Sequence, residues 1–68
     1  MKVSLKALRV NADLSQKEAA KQIGTTARTI QNWEKYSTFP SASQLIKICT
    51  IYNCNLNDIF LPDKLAKS

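Results

Sequence analysis

Histidine is absent from this 68-residue sequence, and glycine, proline and cysteine are scarce, with one, two and two copies. Cys49 and Cys54 are too few for a zinc site of the usual four-ligand kind, so we expect no metal and no other cofactor. No histidine can activate a nucleophile and the carboxylates are scattered, so we expect neither an enzyme nor a small-molecule substrate. Both thiols are simply explained as small core hydrophobes.

Long apolar runs are missing as well. No stretch approaches the length that spans a membrane, and the N-terminus does not resemble a signal peptide. We therefore expect a protein of a reducing cytosol, with no membrane partner and no Cys49–Cys54 disulfide. Residues 1–68 should form a single domain, which at this size buries only about 60% of its unfolded surface and needs close helix packing or a partner.

The charge is basic and unevenly distributed. Ten Lys and Arg residues oppose five Asp and Glu residues, for a net charge of +5. Residues 1–38 hold seven of the basic and three of the acidic side chains, which leaves +4 there and +1 in residues 39–68. A basic half suits a polyanionic partner. Small proteins also carry such a charge for no specific reason, so it supports an interpretation without deciding it.

Residues 14–34 contain two short helical patterns separated by Gly24, the single glycine of the chain. Ser15 and Glu18 have the spacing of a capping box at the start of the first helix. Gly24 can adopt the left-handed backbone that ends it, and Thr26 then caps the second helix. Two helices joined by a short turn with glycine form the helix-turn-helix pattern.

The second of these helices has one polar face. Its side chains fall at i, i+3, i+4 and i+7, at Arg28, Gln31, Asn32 and Lys35. This stripe lies opposite Ile30 and Trp33, which we expect in the core, and it carries no carboxylate. Donors and amides are the groups that read base edges in the DNA major groove. An ordinary solvated helix face has a similar pattern, so the stripe alone does not decide between the two.

Apolar residues recur at helical spacing along the whole chain, which predicts an all-α fold. We predict five helices, at about residues 4–12, 16–23, 27–36, 42–53 and 56–61. Asn53 should end the fourth helix in a left-handed conformation. Asn55 should cap the fifth, and Pro62 should stop it.

The order of residues resembles that of the Cro and phage-repressor helix-turn-helix proteins, the XRE-like, lambda-repressor-like DNA-binding domains. The resemblance rests on an arginine followed by LSQ-x-E-x-A-x-x-x-G-x-x-x-x-x-I-x-x-W-E, then P-S, L-x-K-I and Y-N-x-x-L-x-D-I-F. It runs from about Leu5 to Phe60. It implies a compact bundle of five helices, with the second across the DNA backbone and the third in the major groove.

The resemblance also implies roles for single residues. Base edges should be contacted from Thr26, Ala27, Arg28 and Asn32, with Thr29 and Gln31 as secondary candidates. Among these, Arg28 is the strongest candidate, because a guanidinium can bind guanine O6 and N7 in bidentate fashion. The DNA backbone should be contacted from Gln16, Lys35, Ser37 and Thr38. To these we add Lys17 and Tyr36 as further candidates for backbone contact. Arg9 and Glu34 match a structural charged pair that ties the first helix to the end of the third.

Two positions depart from the family pattern. Asp13 stands where glycine commonly ends the first helix, and Lys35-Tyr36 stands where Asn-Gly often follows Trp-Glu. The second departure leaves two alternatives open at the end of the third helix. Either this helix is one residue longer, or Tyr36 itself faces a phosphate.

These observations favour a sequence-specific, double-stranded DNA-binding transcriptional regulator. A domain this small has a limited reading surface, so we expect a homodimer on a pseudo-palindromic operator. The likeliest dimer surface lies in the C-terminal region, at Tyr52, Asn55, Phe60, Leu61 and Pro62. The alternative is a protein-interaction module or antitoxin-type helix-turn-helix protein, whose recognition stripe would carry acidic or bulky apolar residues. This chain shows neither.

Overall fold

The computed structural model describes residues 2–61, which contain four α-helices and a single 3-10 turn. We label the helices α1 to α4, at Leu5–Asn11, Gln16–Ile23, Ala27–Glu34 and Ala42–Ile51. The 3-10 turn covers Leu56–Asp58. The all-α class is confirmed, whereas the fifth helix is not present as an α-helix.

Hydroxyl side chains begin all four α-helices. Each accepts a hydrogen bond from the backbone N–H three residues further along, at Ser4, Ser15, Thr26 and Ser41. The predicted capping box of α2 is confirmed, because the Ser15 N–H donates to Glu18 Oε1 at 2.9 Å. These hydrogen bonds satisfy backbone donors that the first turn of a helix leaves unpaired. They place the start of each helix by local chemistry alone.

Left-handed residues follow all four helices. Gly24 has φ +92°, and the non-glycine residues Asp13, Tyr36 and Asn53 have φ of 60°, 59° and 54°. Asp13 is thus left-handed at the position where the family pattern commonly has glycine, and the prediction for Asn53 is confirmed. A tyrosine is unusual in this region because its Cβ crowds the backbone.

Helices α3 and α4 both end earlier than predicted. α3 ends at Glu34 rather than at residue 36, because Lys35 is its C-cap and Tyr36 is left-handed. The alternative of a longer third helix is therefore wrong. α4 ends at Ile51 rather than at residue 53, and the Cys54 N–H closes that end by donating to the Cys49 carbonyl at 3.0 Å.

The core lies between the helices and the C-terminal segment. Its buried side chains are Leu5, Leu8, Ala19, Ala20, Ile23, Ile30, Trp33, Ile48, Tyr52 and Ile59. The small pair in α2 lets that helix pack closely against α3 and α4. Cys49 and Cys54 are free thiols packed against this core, as expected of small hydrophobes. Burial and the neighbouring Cys49 raise the pKa of Cys54 to about 11.

The predicted helix over 56–61 is wrong as an α-helix, because a 3-10 turn covers its first half and an extended segment replaces its second half. After the 3-10 turn, Ile59 adopts φ −85° and ψ 125° and pairs in parallel with Val3 as an isolated bridge. The Val3 N–H donates to the Asp58 carbonyl at 2.7 Å, and the Phe60 N–H donates to the Val3 carbonyl at 2.8 Å. Asn55 does precede the turn, with its N–H donating to Asp58 Oδ2. Pro62 lies outside the described residues.

Candidate nucleic-acid interface

Helices α2 and α3 are joined by a tight turn at residues 24–26. The N–H groups of Gly24 and Thr25 both donate to the Ala20 carbonyl, at 2.8 and 2.9 Å. Thr26 is extended and begins α3 through the hydrogen bond from the Thr29 N–H to its Oγ1, at 3.2 Å. This turn gives α2 and α3 the connection of a helix-turn-helix, so that the first residues of α3 lie at the surface.

The polar stripe of α3 faces solvent, whereas the opposite side of the helix is buried. Arg28, Gln31 and Lys35 are exposed and Asn32 is half-buried. Ile30 and Trp33 are only 1% and 4% exposed, so their predicted place in the core is confirmed. Helix α3 therefore presents guanidinium, amide and ammonium donors outward.

The other residues proposed for base contact surround the start of α3. Thr26 is exposed, and Ala27 and Thr29 are half-buried. The Thr26 hydroxyl already accepts from the Thr29 N–H and lies 3.0 Å from the Thr29 hydroxyl. Both hydroxyls are thus occupied by hydrogen bonds between Thr26 and Thr29. Arg28 is then the long polar side chain of the first turn of α3.

An ion pair holds α1 against the end of α3. Arg9 Nε donates to Glu34 Oε2 at 2.6 Å, and Arg9 Nη2 donates to Glu34 Oε1 at 3.3 Å. A third donor, Arg9 Nη1, reaches the Leu14 carbonyl at 2.8 Å. The hydrogen bond to Glu34 raises the pKa of the Arg9 guanidinium, and burial opposes this rise. The one carboxylate of α3 is therefore neutralised by α1.

Gln16 connects this ion pair to the polar stripe. Its Nε2 donates to Glu34 Oε1 at 3.1 Å, and its Oε1 accepts from Gln31 Nε2 at 3.2 Å. Gln16, the first residue of α2, thus holds Gln31 and Glu34, which lie on successive turns of α3. The bond to Gln16 holds Gln31, a secondary candidate for base contact. The Gln16 amide still has one N–H for another acceptor.

The segment after α3 contains the remaining residues proposed for backbone contact. Ser37 and Thr38 are exposed there, as is Lys17 on α2. Tyr36 differs, because its hydroxyl donates to the Phe60 carbonyl at 3.1 Å. Its ring also packs edge-on against Phe60, with centroids 5.9 Å apart, and near Phe39 at 6.5 Å. In this arrangement the Tyr36 proton is not available to a phosphate.

An open depression lies where α1, α2 and α3 meet. Its volume is about 440 Å³, and its lining residues are Lys6, Gln16, Gln31, Glu34 and Lys35. Lys6 is not among the site residues that we predict from the sequence. The signal that could have found it is its position three residues before Arg9, on the same face of α1.

The C-terminal residues proposed for dimer contact are only partly at the surface. Tyr52 is 5% exposed and packs in the core, so its assignment to a dimer surface is wrong. Burial also raises its pKa to about 12. Asn55 is exposed, Leu61 is half-buried and Phe60 is 46% exposed. A second, mainly apolar depression of about 400 Å³ is lined by Lys2, Leu45, Leu56, Ile59, Phe60 and Leu61.

Comparison with known proteins agrees with this geometry. A family model described as Helix-turn-helix matches residues 5–59. The chain belongs to the helix-turn-helix family. This helix-turn-helix protein is also similar to an "Uncharacterized HTH-type transcriptional regulator" of Archaeoglobus fulgidus, with 33% identity over 64 residues, which are 94% of this chain and 90% of the relative. The resemblance to XRE-like and Cro-like domains is thereby confirmed.

Family membership places the protein among DNA-binding transcription regulators and points away from an enzymatic role. Within residues 2–61 no helix is both long and apolar enough to cross a membrane. The same residues contain no group of three or more His, Cys, Asp or Glu side chains arranged to hold a metal ion.

Proposed function

We propose that this protein is a sequence-specific regulator of transcription that inserts α3 into the major groove of double-stranded DNA. The observation that carries the proposal is the charge of α3. Its outward stripe holds only donors and amides, while Glu34 is withdrawn into the ion pair with Arg9. A groove lined by base acceptors and phosphates favours such a surface. Acting on DNA, the protein would work in the cytoplasm of a bacterium or of a phage-infected host.

In this proposal Arg28 reads bases and Asn32 supports it. Arg28 is exposed in the first turn of α3, and bidentate binding of guanine is worth about 1–3 kcal/mol of discrimination. Asn32 lies one turn further along, where an amide can pair with adenine N6 and N7. Thr26, Ala27, Thr29 and Gln31 border this surface as secondary contacts.

The backbone contacts of the proposal surround the start of α2 and the end of α3. The free N–H of Gln16 and the first turn of α2 favour an anion, because unpaired backbone donors and the helix dipole meet there. Lys17, Lys35, Ser37 and Thr38 are exposed beside these two helix ends. Such contacts would set the register on DNA without reading its sequence.

We further propose that two copies bind together, through the apolar depression of the C-terminal segment. One α3 of eight residues offers too small a reading surface for strong specificity, so a second half-site would supply the rest. Leu56 and Phe60 are 54% and 46% exposed there, although both are large and apolar. Asn55 and Leu61 border the same surface. An apolar face of this kind commonly marks an interface.

Binding to mixed-sequence duplex DNA at about 50 and 200 mM salt tests the regulator proposal. Several phosphate contacts predict that affinity falls by orders of magnitude between these salt concentrations. Absence of binding at the lower concentration would contradict the proposal. It would then favour the alternative, a protein-interaction or antitoxin-type module that uses the exposed apolar face for a different protein.

Selection of bound sites from random DNA tests specificity and symmetry together. A dimer should select two inverted half-sites whose centres lie about one helical turn apart, 10–10.5 base pairs. A single short site would support specific reading by one copy and contradict the dimer. Enrichment of no sequence at all would contradict specific reading.

A further inference from the structure

The depression between α1, α2 and α3 has an excess of positive charge. Glu34 is its one acidic lining residue, and the adjacent Arg9 balances that charge at 2.6 Å. Lys6 and Lys35 also line the depression, and both are exposed. With Glu34 balanced, these two ammonium groups leave a local charge of about +2 beside neutral amides, an arrangement that attracts an anion.

The amides of the depression add directional donors to this charge. Gln16 uses one amide N–H for Glu34 and accepts from Gln31, so its second N–H remains for a further acceptor. Gln16 is also the first residue of α2, next to the N-cap Ser15. A phosphate oxygen accepts from both amide and ammonium donors, so this set suits one phosphate group.

The ion pair fixes where Lys6 lies relative to α3. Residues three apart on a helix share one face, so Lys6 lies one turn before Arg9 on the side of α1 that meets the end of α3. Because Arg9 donates twice to Glu34 and once to the Leu14 carbonyl, α1 cannot rotate without breaking these bonds. Lys6 and Lys35 therefore line the same depression, although Lys6 lies outside the helix-turn-helix.

We propose that Lys6 is a further DNA-contacting residue, contributed by α1, which adds an ammonium donor to the backbone phosphate contact proposed for Gln16 and Lys35. The inference rests on the proposed function, since the depression borders the surface that faces DNA in that proposal. Its lining comes from three helices, so the contact would lock the whole domain onto the duplex rather than α3 alone. Lys6 would act on all sequences alike, because a phosphate carries no base identity.

The test is the salt dependence of DNA binding by three variants. Lys6→Gln should reduce the slope of log affinity against log salt by about 0.9 per bound chain, which corresponds to about a five- to tenfold loss of affinity at about 0.1 M salt. The loss should be equal for selected and unrelated DNA. Lys6→Arg keeps the charge and should retain the slope. Lys21→Gln removes the same charge from an exposed position of α2 that lines neither depression, and it should also retain the slope.

The outcomes separate this inference from the proposed function. A Lys6→Gln slope equal to that of the parent protein, which itself binds DNA, would overturn the inference and leave the function standing. Equal loss in Lys6→Gln and Lys21→Gln would reduce the effect to net charge and overturn the inference as well. Binding of inorganic phosphate, followed by the amide resonances around Gln16, that depends on Lys6 while DNA binding does not would identify a site for free anions instead. Failure of the parent protein to bind DNA would overturn the function itself.

Discussion

Arg28 and Lys35 occupy the same stripe of α3 but differ in what they can recognise. The Arg28 guanidinium is planar and forked, so it can match two acceptors of one base, whereas the Lys35 ammonium acts as a point charge. Both side chains are exposed, so their removal should leave the fold intact.

We therefore expect the variants Arg28→Ala and Lys35→Ala to differ in specificity. Arg28→Ala should lose about 1–3 kcal/mol of preference for the selected site over unrelated DNA. Lys35→Ala should weaken binding to both DNAs by a similar factor. Parallel titrations of the two DNAs at one salt concentration measure this. Equal behaviour of the two variants would contradict the assignment of Arg28 to bases.

The Arg9–Glu34 pair is the residue-scale feature on which stability depends most directly. Both side chains are largely buried, at 10% and 7% exposure, so neither charge is well solvated once its partner is gone. Removing one partner of such a pair typically costs about 3–5 kcal/mol.

We expect Glu34→Ala to lower the free energy of unfolding by about that amount and to weaken DNA binding through unfolding. Urea denaturation of the variant measures the loss. The double variant Arg9→Met with Glu34→Leu is the control, because it removes both charges and should be clearly more stable than Glu34→Ala. If the two proteins were equally unstable, packing rather than an uncompensated charge would be responsible.

At the scale of elements, α2 is held at its start by reciprocal hydrogen bonds. Bonds from the Ser15 backbone and side chain lower the pKa of Glu18, so the folded state prefers the ionised carboxylate. A lowered folded pKa gives stability that is present above the unfolded value, near 4.5, and is lost as pH falls through the folded value.

We thus expect Glu18→Gln to be less stable than the parent protein at pH 7 and to approach it in stability as the pH falls below about 4. Thermal unfolding at pH 7, 5 and 3 measures the difference. Lys17→Gln, which alters a neighbouring exposed charge, serves as the control and should not show this convergence. A difference that stays constant with pH would exclude the carboxylate as its cause.

Elements that depend on local chemistry are the ones that sequence patterns predict well. Helix α2 has the predicted bounds, because a capping box and a glycine mark its two ends within the helix itself. Sequence patterns do not predict the end of α3, because the left-handed conformation of Tyr36 is stabilised by Phe60, a residue far along the chain. The apolar spacing of Leu56, Ile59 and Phe60 fits a helix equally well, and only the contact with Val3 decides against it.

The candidate site shows the same division between local and distant contacts. The polar stripe of α3 follows from helical periodicity, and the structure places three of its four members at the surface. The Arg9–Glu34 pair joins two helices and could be inferred only from family resemblance. For Lys6 the only sequence signal is its spacing from Arg9, because its relation to Lys35 exists only after α1 has packed against α3.

At the scale of the whole molecule, packing within one chain does not explain the exposed apolar face at Leu56 and Phe60. Leu56 lines its depression and is 54% exposed, so a charge there should disturb the surface more than the core. Ile46 on α4 is even more exposed, at 66%, and does not line the depression. The two residues make a matched pair.

We expect Leu56→Asp to convert a dimer into a monomer and Ile46→Asp to leave the dimer intact. The reason is that a buried unpaired carboxylate is costly at an interface, whereas a solvated one is not. Sedimentation of the two variants at equal concentration measures the state. A monomeric parent protein, or equal dissociation of both variants, would contradict the proposed dimer surface.

The bridge between Val3 and Ile59 also bears on the order of events during folding. It joins two segments from opposite ends of the described chain, so its hydrogen bonds close the longest loop in this fold. Loop closure of this kind is entropically costly and is favoured once the intervening helices have already condensed. A nascent chain that has emerged only as far as Asn55 would hold α1 to α4 without this closure. The pairing with Val3 can therefore form only after Ile59 and Phe60 have been synthesised, which makes it a late event for a chain that folds as it is made.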